Sequence, residues 1–350
     1  MIKYLGSKRR LVPHLVALVS ALPGARTVLD LFTGTTRVAQ GLKAAGFDVT
    51  ANDLATYSAV LAEAYIATDA LGVQRARLEA LAAELAALPG VRGYVTRTFC
   101  EEARYFQPAN GMRIDAIRAG IETLEVTPSE RAILMTALLL GADRVDSTTG
   151  LQMAYLKEWS TRSAKPLELR LPELLPGTGH ALHLDARACV QRPARYDVAY
   201  LDPPYNQHSY YSNYHIWETL VRGDTPSAYG IARKREDCRT SKSAFNVRKE
   251  AWGALREVVL NVNARHVVLS FSNEGFFTEA AISRLLAERF GTVALVRLDS
   301  PRYVGARIGI HNLRGERVGK VSHLRNIEWV FIAGPDAAGA HDEMAREHSA

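Results

Sequence analysis

Residues 25–53 read ARTVLDLFTGTTRVAQGLKAAGFDVTAND and carry the pattern of a β-α-β unit. The apolar run TVLDLF predicts a short strand, and RVAQGLKAA has helical spacing and ends at Gly46, a residue typical of helix C-termini. FDVTAND then predicts a second strand. Because such a unit joins two parallel strands through a right-handed crossover, this stretch predicts an α/β fold with a parallel sheet.

The same alternation returns in the second half of the chain. Five more short runs are rich in strand-forming residues: GHALHLDAR (179–187), YDVAYLDPP (196–204), HVVLSFSNE (266–274), TVALVRLDS (292–300) and NIEWVFIAG (326–334). Helical patterns lie before and after the third of these runs. We therefore predict an open, doubly wound, Rossmann-like sheet of about seven strands, in which the last two form an antiparallel hairpin.

A long helical block interrupts this alternation. PSERAILMTALLLGADRV (128–145) has the clearest helical pattern, and either Ser129 or the threonine before it is expected to cap its start. No internal repeat is visible. We predict that residues 88–177 form a mostly helical insertion into one α/β domain built from residues 1–87 and 178–350.

Composition and charge narrow the class of protein. The chain has 350 residues, of which 47% are hydrophobic and 23% charged, enough to bury a large core. No apolar run approaches the roughly 20 residues that a membrane-spanning helix needs, and the N-terminus lacks the apolar segment of a signal peptide, so we expect a cytoplasmic protein without a membrane partner.

Cys100, Cys189 and Cys238 form no CxxC pair, and we expect no metal site.

The positive charge is unevenly distributed. The formal net charge is +6, and residues 222–250 hold eight Lys/Arg against four Asp/Glu. Residues 302–325 form a second basic stretch. Either stretch is consistent with contact to a phosphate backbone, and either is equally consistent with a solvated loop.

Acidic residues end several of the predicted strands. Asp30 closes the first strand, and Phe32, Gly34 and Thr35 lie in the turn that follows it. Ligands of doubly wound sheets bind at the carboxyl ends of the strands, where a glycine lets the backbone approach closely. The glycine spacing is not the GxGxxG of pyrophosphate binders.

Two further acids extend this pattern. Asp53 lies about 20 residues after the turn, where a carboxylate can accept from both hydroxyls of a ribose; alternatively, it caps the helix starting near Leu54. Asp185 holds the equivalent position after a later strand and could accept from an adenine amino group.

Asp202, Pro203, Pro204 and Tyr205 follow the strand YDVAYL. The two prolines fix successive φ angles and have no N–H, so the main chain offers only carbonyl oxygens there. One carboxylate oxygen and one rigid carbonyl can accept both hydrogens of an amino group, while Tyr205 can stack on the ring that carries it. We expect Asp202 to lie at the same sheet edge as the other strand-end acids.

The order of these motifs resembles a known family. KYLGSK (3–8), LDLFTGT, AND, a long insertion, LD, DPPY (202–205), LSFSN and IEWVFI occur in the order of the Dam-like, α-type adenine-specific DNA methyltransferases. The resemblance implies methyl transfer from S-adenosylmethionine to the exocyclic amino group of an adenine flipped out of a specific sequence in double-stranded DNA. It also implies a possible cognate restriction or defence protein as partner, and we expect the enzyme to act as a monomer.

The resemblance also assigns residues. The cofactor is expected to contact Tyr4, Lys8, Asp30, Phe32, Gly34, Thr35, Asp53 and Asp185, and the catalytic residues are expected to be Asp202, Pro203, Pro204 and Tyr205. Target recognition is expected within the insertion, where Arg97, Arg104, Arg113 and Arg144 either contact DNA or are solvated. The turn FTGTTRV departs from the family because it lacks the usual second glycine.

Other functions fit the same residues. The acceptor pair at DPPY would also serve the amino group of cytosine or an adenine in RNA. A catalytically silent DNA-binding regulator with the same fold is a further alternative, although a pure binder does not need the strand-end acids. A nicotinamide-dependent dehydrogenase is disfavoured by the glycine spacing.

Overall fold

The computed structural model describes residues 2, 8–301, 310–311, 317–319 and 325–347. The basic stretch at 302–325 lies largely outside these residues. The strands within the described part are β1 (Thr27–Asp30), β2 (Asp48–Asn52), β3 (Gly179–Leu182), β4 (Tyr196–Leu201), β5 (Ala228–Tyr229), β6 (Lys234–Arg235), β7 (Ala264–Ser272), β8 (Val293–Pro301), β9 (Ile310–His311), β10 (Arg317–Gly319) and β11 (Arg325–Ala333).

Seven of these strands form one sheet in the order β3-β2-β1-β4-β7-β11-β8. β1, β2 and β3 pair in parallel, as do β4 and β7, whereas β11 is antiparallel to both β7 and β8. The predicted α/β fold with seven strands is therefore confirmed, as is the antiparallel pairing of the last two strands.

The α-helices of the described residues flank this sheet or fill the long segment between β2 and β3. They are α1 (Val12–Ser20), α2 (Arg37–Ala44), α3 (Thr56–Ala62), α4 (Arg75–Ala87), α5 (Pro108–Thr123), α6 (Pro128–Val145), α7 (Ala186–Val190), α8 (Tyr210–Asn213), α9 (His215–Arg222), α10 (Arg248–Asn261), α11 (Glu279–Phe290) and α12 (Ala337–Glu347). None of the described helices has the length and apolarity to cross a membrane.

The chain divides into two compact units. The first comprises Met1–Val16, Arg26–Cys189 and His208–Ser243, and the second comprises Ala17–Ala25, Val190–Gln207 and Ala244–Ala350. In the first unit, the apolar side chains of α3, α4, α5, α6 and α9 pack into one core. Helices α5 and α6 lie within residues 88–177, and they share that core with α3, α4 and α9, which lie outside this range.

Helix α6 is the centre of the first unit. It is apolar on almost every side, and nearly all its residues from Ala132 onward are buried, as expected for a helix surrounded by others. Thr127 caps its start: the Thr127 hydroxyl accepts from the Glu130 N–H, and Glu130 accepts from the Thr127 N–H in return. Ser129, the other predicted cap, instead donates to a Glu63 carboxylate oxygen at 2.8 Å.

The second unit contains β4, β7, β8 and β11 with helices α10, α11 and α12. Residues 267–269 in the middle of β7 and residues 330–333 at the end of β11 are continuously apolar and buried, as expected for strands covered on both faces. α11 packs on β8 and β11, and α12 packs on the same two strands. This continuous apolar pattern is what fixes β7 and β11 at the centre of the unit.

Candidate functional site

The turn after β1 is held by its own polar side chains. Asp30, only 1% exposed, ends the strand, and its Oδ2 accepts from the Thr33 hydroxyl at 2.8 Å. The Thr33 N–H donates to the Asn52 carbonyl at 2.9 Å, which ties the turn to the end of β2. Gly34 follows with φ +53°, a left-handed conformation that glycine adopts without strain.

Asp53 connects this turn to the next helix. Its Oδ2 accepts from the Gly34 N–H at 2.8 Å, and its Oδ1 accepts from the Ala55 N–H at 3.0 Å, at the start of α3. Burial raises the pKa of the Asp53 carboxyl, although the backbone N–H groups of Ala55 and Gly34 act in the opposite direction. The N-cap of α3 is Ala55 and carries no side-chain cap, so the alternative role of Asp53 as a helix cap is not seen. The Asp53 carboxylate retains capacity for further donors because it offers about four acceptor positions.

Asn52 organises the same strand ends and was not singled out from the sequence. This buried side chain donates to the carbonyls of Leu31 and Leu184, both at 3.1 Å, and accepts from the Leu184 N–H at 3.2 Å. One amide thus joins the chain after β1, the end of β2 and the chain after β3. The motif AND contains the signal, but an Asn at a strand end is also typical of an ordinary turn.

Asp185 is engaged by its own helix. Its Oδ1 accepts from the Arg187 N–H at 2.9 Å and from the Arg187 Nε at 3.2 Å, so it caps the start of α7. The remaining residues of the predicted cofactor set differ in exposure: Lys8 and Thr35 are buried, and Phe32 is half-buried. Tyr4 lies outside the described residues.

The turn FTGTTRV lacks the second glycine usual in the family, and Thr36 in this turn adopts a left-handed backbone conformation that favours glycine. This buried residue has φ +62°, a conformation that costs a β-branched residue about 1–2 kcal/mol. Its hydroxyl donates to the Thr35 carbonyl and accepts from the Gln40 amide, each at 2.7 Å. The two hydrogen bonds of this buried hydroxyl therefore offset a backbone strain that a glycine at this position would not have.

The DPPY segment begins directly after β4, in the second unit. Asp202 and Tyr205 are half-buried and Pro203 is buried. The Tyr205 carbonyl accepts from the Phe276 N–H at 2.9 Å, and the Asn206 carbonyl accepts from the Asn246 amide at 2.8 Å. The segment is thus fixed through main-chain oxygens by two other loops of its unit.

A row of aromatic rings supports Tyr205. Its ring lies edge-on to Phe271 at 6.1 Å, Phe271 stacks on Phe277 at 5.7 Å, and Phe277 contacts Trp252 of α10 at 5.0 Å. Gly275 makes room for this row, because a Cβ there would lie 2.2 Å from the Phe271 ring. The motif LSFSN was identified from the sequence, whereas Gly275 and Phe277, which follow it, were not.

Several aromatic and basic side chains of the first unit have partners within the protein. Tyr214 and Trp217 are buried in the core of the first unit. Burial raises the pKa of Tyr211 to about 12, and its hydroxyl donates to Asp237 at 3.1 Å. Arg113 donates to backbone carbonyls at the end of α4, so this candidate for DNA contact has partners within the protein.

The basic segment 222–250 contains a buried ion-pair cluster. Arg235 donates to both oxygens of Asp224 at 2.7 Å and to both oxygens of Asp237 at 3.1 and 2.9 Å. Arg222 pairs with the same two carboxylates. Arg233 and Arg239 also form ion pairs, with Glu102 and Glu236, so four of the eight basic side chains pair with acids of the protein. Contact with phosphate stays a prediction for this segment.

No three His, Cys, Asp or Glu side chains converge into a possible metal site within the described part of the chain. The three cysteines are buried and free.

Comparison with known proteins identifies relatives. The model of the D12 class N6 adenine-specific DNA methyltransferase family matches residues 4–275. The chain is 31% identical over 303 residues to modification methylase StsI of Streptococcus sanguinis, covering 82% of this chain and 46% of that protein. It is 30% identical over 338 residues to type II methyltransferase M.NlaIII of Neisseria lactamica, covering 92% and 98%.

A third relative, like the first, is matched over less than half of its own length. The type II methyltransferase M.FokI of Planomicrobium okeanokoites is 28% identical over 306 residues, covering 81% of this chain and 46% of that protein. The chain therefore spans about half the length of two of these relatives and nearly all of the other.

Proposed function

Because this chain belongs to the D12 class N6 adenine-specific DNA methyltransferase family, we propose that it methylates the exocyclic amino group of a flipped adenine in a specific sequence of double-stranded DNA. The methyl donor in this proposal is S-adenosylmethionine. The observation that carries it is Asp202-Pro203-Pro204-Tyr205, placed directly after β4 and fixed by main-chain hydrogen bonds.

The catalytic chemistry follows from these four residues. An aromatic amine is a weak nucleophile because its lone pair is delocalised into the ring. The Asp202 carboxylate and the Pro203 carbonyl would accept the two N–H hydrogens and favour the tetrahedral nitrogen that develops in the transition state. Loss of one such acceptor typically costs about 3 kcal/mol of transition-state stabilisation.

Tyr205 and Pro204 would form part of the pocket that holds the flipped adenine. Flipping an adenine out of a duplex costs a few kcal/mol, and stacking on an aromatic ring offsets part of that cost. The row of rings behind Tyr205 restricts its movement, which suits a stacking surface. Pro204 adds a second fixed φ angle beside it.

The first unit would hold the cofactor. Its strand ends present carboxylates, which suit the hydroxyl, ammonium and amino groups of S-adenosylmethionine, and Asp53 retains acceptor capacity. When bound, the cofactor supplies a methyl group activated by a sulfonium. The residues proposed to contact it are Tyr4, Lys8, Asp30, Phe32, Gly34, Thr35, Asp53 and Asp185.

The remaining assignments extend the same proposal. Residues 88–177 would contribute to target recognition as an insertion in the catalytic domain. The relatives are named modification and type II methyltransferases, which supports a role in restriction-modification beside a cognate nuclease. We propose that the protein acts in the cytoplasm as a monomer.

Transfer of a tritiated methyl group from S-adenosylmethionine to duplex DNA tests this function. We expect N6-methyladenine in the nucleoside digest, a loss of about 100- to 1000-fold for Asp202→Ala, and no change for Asp342→Ala, an exposed acid in α12. N4-methylcytosine would instead support the cytosine alternative. Equal incorporation by Asp202→Ala would reject its catalytic role, and a wild-type protein that binds DNA without methylating it would support the silent regulator.

A further inference from the structure

A buried glutamate of α9 reaches the start of α3. Glu218 is 2% exposed, and its Oε2 accepts from the Tyr57 N–H at 3.2 Å. The first N–H groups of a helix have no partner within that helix, so Glu218 provides one from a neighbouring helix. Among the described residues, the Tyr57 N–H is the only hydrogen-bond donor to this carboxylate. The start of α3 is thus held by a side chain that lies 161 residues away in sequence.

Asp53 binds the same helix start. Its Oδ1 accepts from the Ala55 N–H at 3.0 Å, two residues before Tyr57. Burial raises the pKa of the Asp53 carboxyl, and the negative charge of Glu218 raises it further. In the described part of the chain, neither carboxylate forms an ion pair with a lysine or an arginine. Two carboxylates therefore lie at one helix start without a compensating cation from these residues.

Helix α9 holds Glu218 in a fixed place. The Gln152 Oε1 accepts from the Ile216 N–H at 2.8 Å, and the Gln152 carbonyl lies 2.9 Å from Nε2 of His215. The Thr219 hydroxyl donates to the His215 carbonyl at 2.9 Å and accepts from Arg235 at 3.1 Å. The helix also packs against α3 in the core of the first unit. The carboxylate would therefore leave the start of α3 only if α9 moved.

The negative charge of Glu218 is not needed for its hydrogen bond. A glutamine of nearly the same shape could accept from the Tyr57 N–H through its amide oxygen. A buried carboxylate with a single hydrogen bond opposes folding, because it has lost most of its hydration. This charge lies beside Asp53, the carboxylate proposed to bind the cofactor, and it makes Asp53 more basic and hence a stronger hydrogen-bond acceptor.

We propose that Glu218 is a positioning residue for S-adenosylmethionine, which fixes the first turn of α3 and strengthens Asp53 as the acceptor of the ribose hydroxyls. This inference rests on the proposed function. The hydrogen bond to Tyr57 sets the place of the helix start, and the negative charge acts on Asp53. Glu218 itself touches neither the methyl group nor the DNA base in this role.

Other titratable side chains near this helix start are shared by the wild type and the variants that test the proposal. They are Asp30 and Asp185 at neighbouring strand ends, His183, whose Nε2 lies 2.9 Å from the Leu54 carbonyl, and Tyr211, whose pKa burial and Glu218 together raise to about 12. Tyr211 stays protonated in acid, and the other three titrate in every variant. Their contribution therefore cancels when a Glu218 variant is compared with the wild type.

Glu218→Gln and Glu218→Ala test this role through the affinity for S-adenosylmethionine, measured by calorimetry. Glu84→Gln is the matched control, because Glu84 is an exposed acid of α4 in the same unit. At about pH 7.5 we expect Glu218→Ala to bind at least about 10-fold more weakly than the wild type, and Glu218→Gln only about 3-fold more weakly, since glutamine keeps the hydrogen bond to Tyr57. Urea denaturation checks that each variant is folded.

The acid dependence of this affinity gives a readout that a purely structural role would not move. Affinity should fall as pH drops through the pKa of Asp53, because a protonated carboxyl no longer accepts from both ribose hydroxyls. Removal of the Glu218 charge lowers that pKa, so the fall for Glu218→Gln should lie about 0.5 pH unit or more below that of the wild type. Glu84→Gln should follow the wild type. Coincident profiles for Glu218→Gln and the wild type, or wild-type affinity in Glu218→Ala, would overturn the inference.

Methyl transfer by the same proteins separates this inference from the proposed function. If the profile of Glu218→Gln shifts while no protein methylates DNA, the role of Glu218 stands and the proposed function fails. If the wild type methylates DNA and the two profiles coincide, the role of Glu218 is overturned and the function stands. A wild type that does not bind S-adenosylmethionine overturns both.

Discussion

The strand ends of the first unit and the DPPY segment of the second are built differently. In the first unit, the carboxylates of Asp53 and Asp185 themselves hold the turns, by accepting from backbone N–H groups. In the second, the contacts of Tyr205 and Asn206 with neighbouring loops use main-chain carbonyls. Substitutions at the strand ends should therefore change folding and cofactor binding together, whereas substitutions at DPPY should separate stability from catalysis.

Asn52→Ala should give the largest loss of stability. It removes three hydrogen bonds and leaves the carbonyls of Leu31 and Leu184 and the Leu184 N–H without this partner in a buried region, so we expect about 3 kcal/mol of destabilisation. Urea denaturation measures the stability, and calorimetry should show weaker binding of S-adenosylmethionine. Unchanged stability with unchanged affinity would contradict the organising role of Asn52.

Gly275→Ala should act on the second unit alone. The added Cβ would force Phe271 to move and with it the ring beside Tyr205, for which we expect about 2 kcal/mol of destabilisation and reduced methyl transfer with intact cofactor affinity. Gly253→Ala is the control, because a Cβ at this position in α10 meets open space and alanine favours the helix. Normal transfer by Gly275→Ala would show that the aromatic row does not position Tyr205.

Acid should weaken the first unit through His215. Burial lowers the pKa of this side chain to about 3, so it stays neutral in the folded protein while the unfolded chain takes up a proton near pH 6.5. Stability should therefore fall as pH drops from about 6.5 towards 3, by at most about 1.4 kcal/mol per pH unit from this group.

His215→Gln is the comparison for this prediction. Urea denaturation between pH 6.5 and 4.5 should show a shallower decline for the variant than for the wild type, whatever its stability at pH 7. Parallel declines would exclude His215 as a source of the pH dependence.

The fold was more predictable than the contacts that build the site. Alternating apolar runs predicted all seven strands of the sheet, since periodicity reports burial directly. Asn52 was missed because its partners Leu31 and Leu184 lie far away in sequence. Gly275 and Arg235 were missed because neither a close contact with a ring nor a buried ion pair leaves a periodic pattern, although their partners lie within 11 residues. The left-handed conformation of Thr36 was also missed, although the absent glycine in FTGTTRV marked the position.

The contrast between the two regions is tested most directly by comparing Asp202→Ala with Asp53→Ala. S-adenosylmethionine affinity is measured by calorimetry, and methyl transfer by single-turnover kinetics at saturating cofactor. For Asp202→Ala we expect affinity within about 3-fold of the wild type and a transfer rate at least about 100-fold lower, and for Asp53→Ala a clear loss of affinity. Wild-type transfer by Asp202→Ala, or wild-type affinity in Asp53→Ala, would contradict this division between catalysis and cofactor binding.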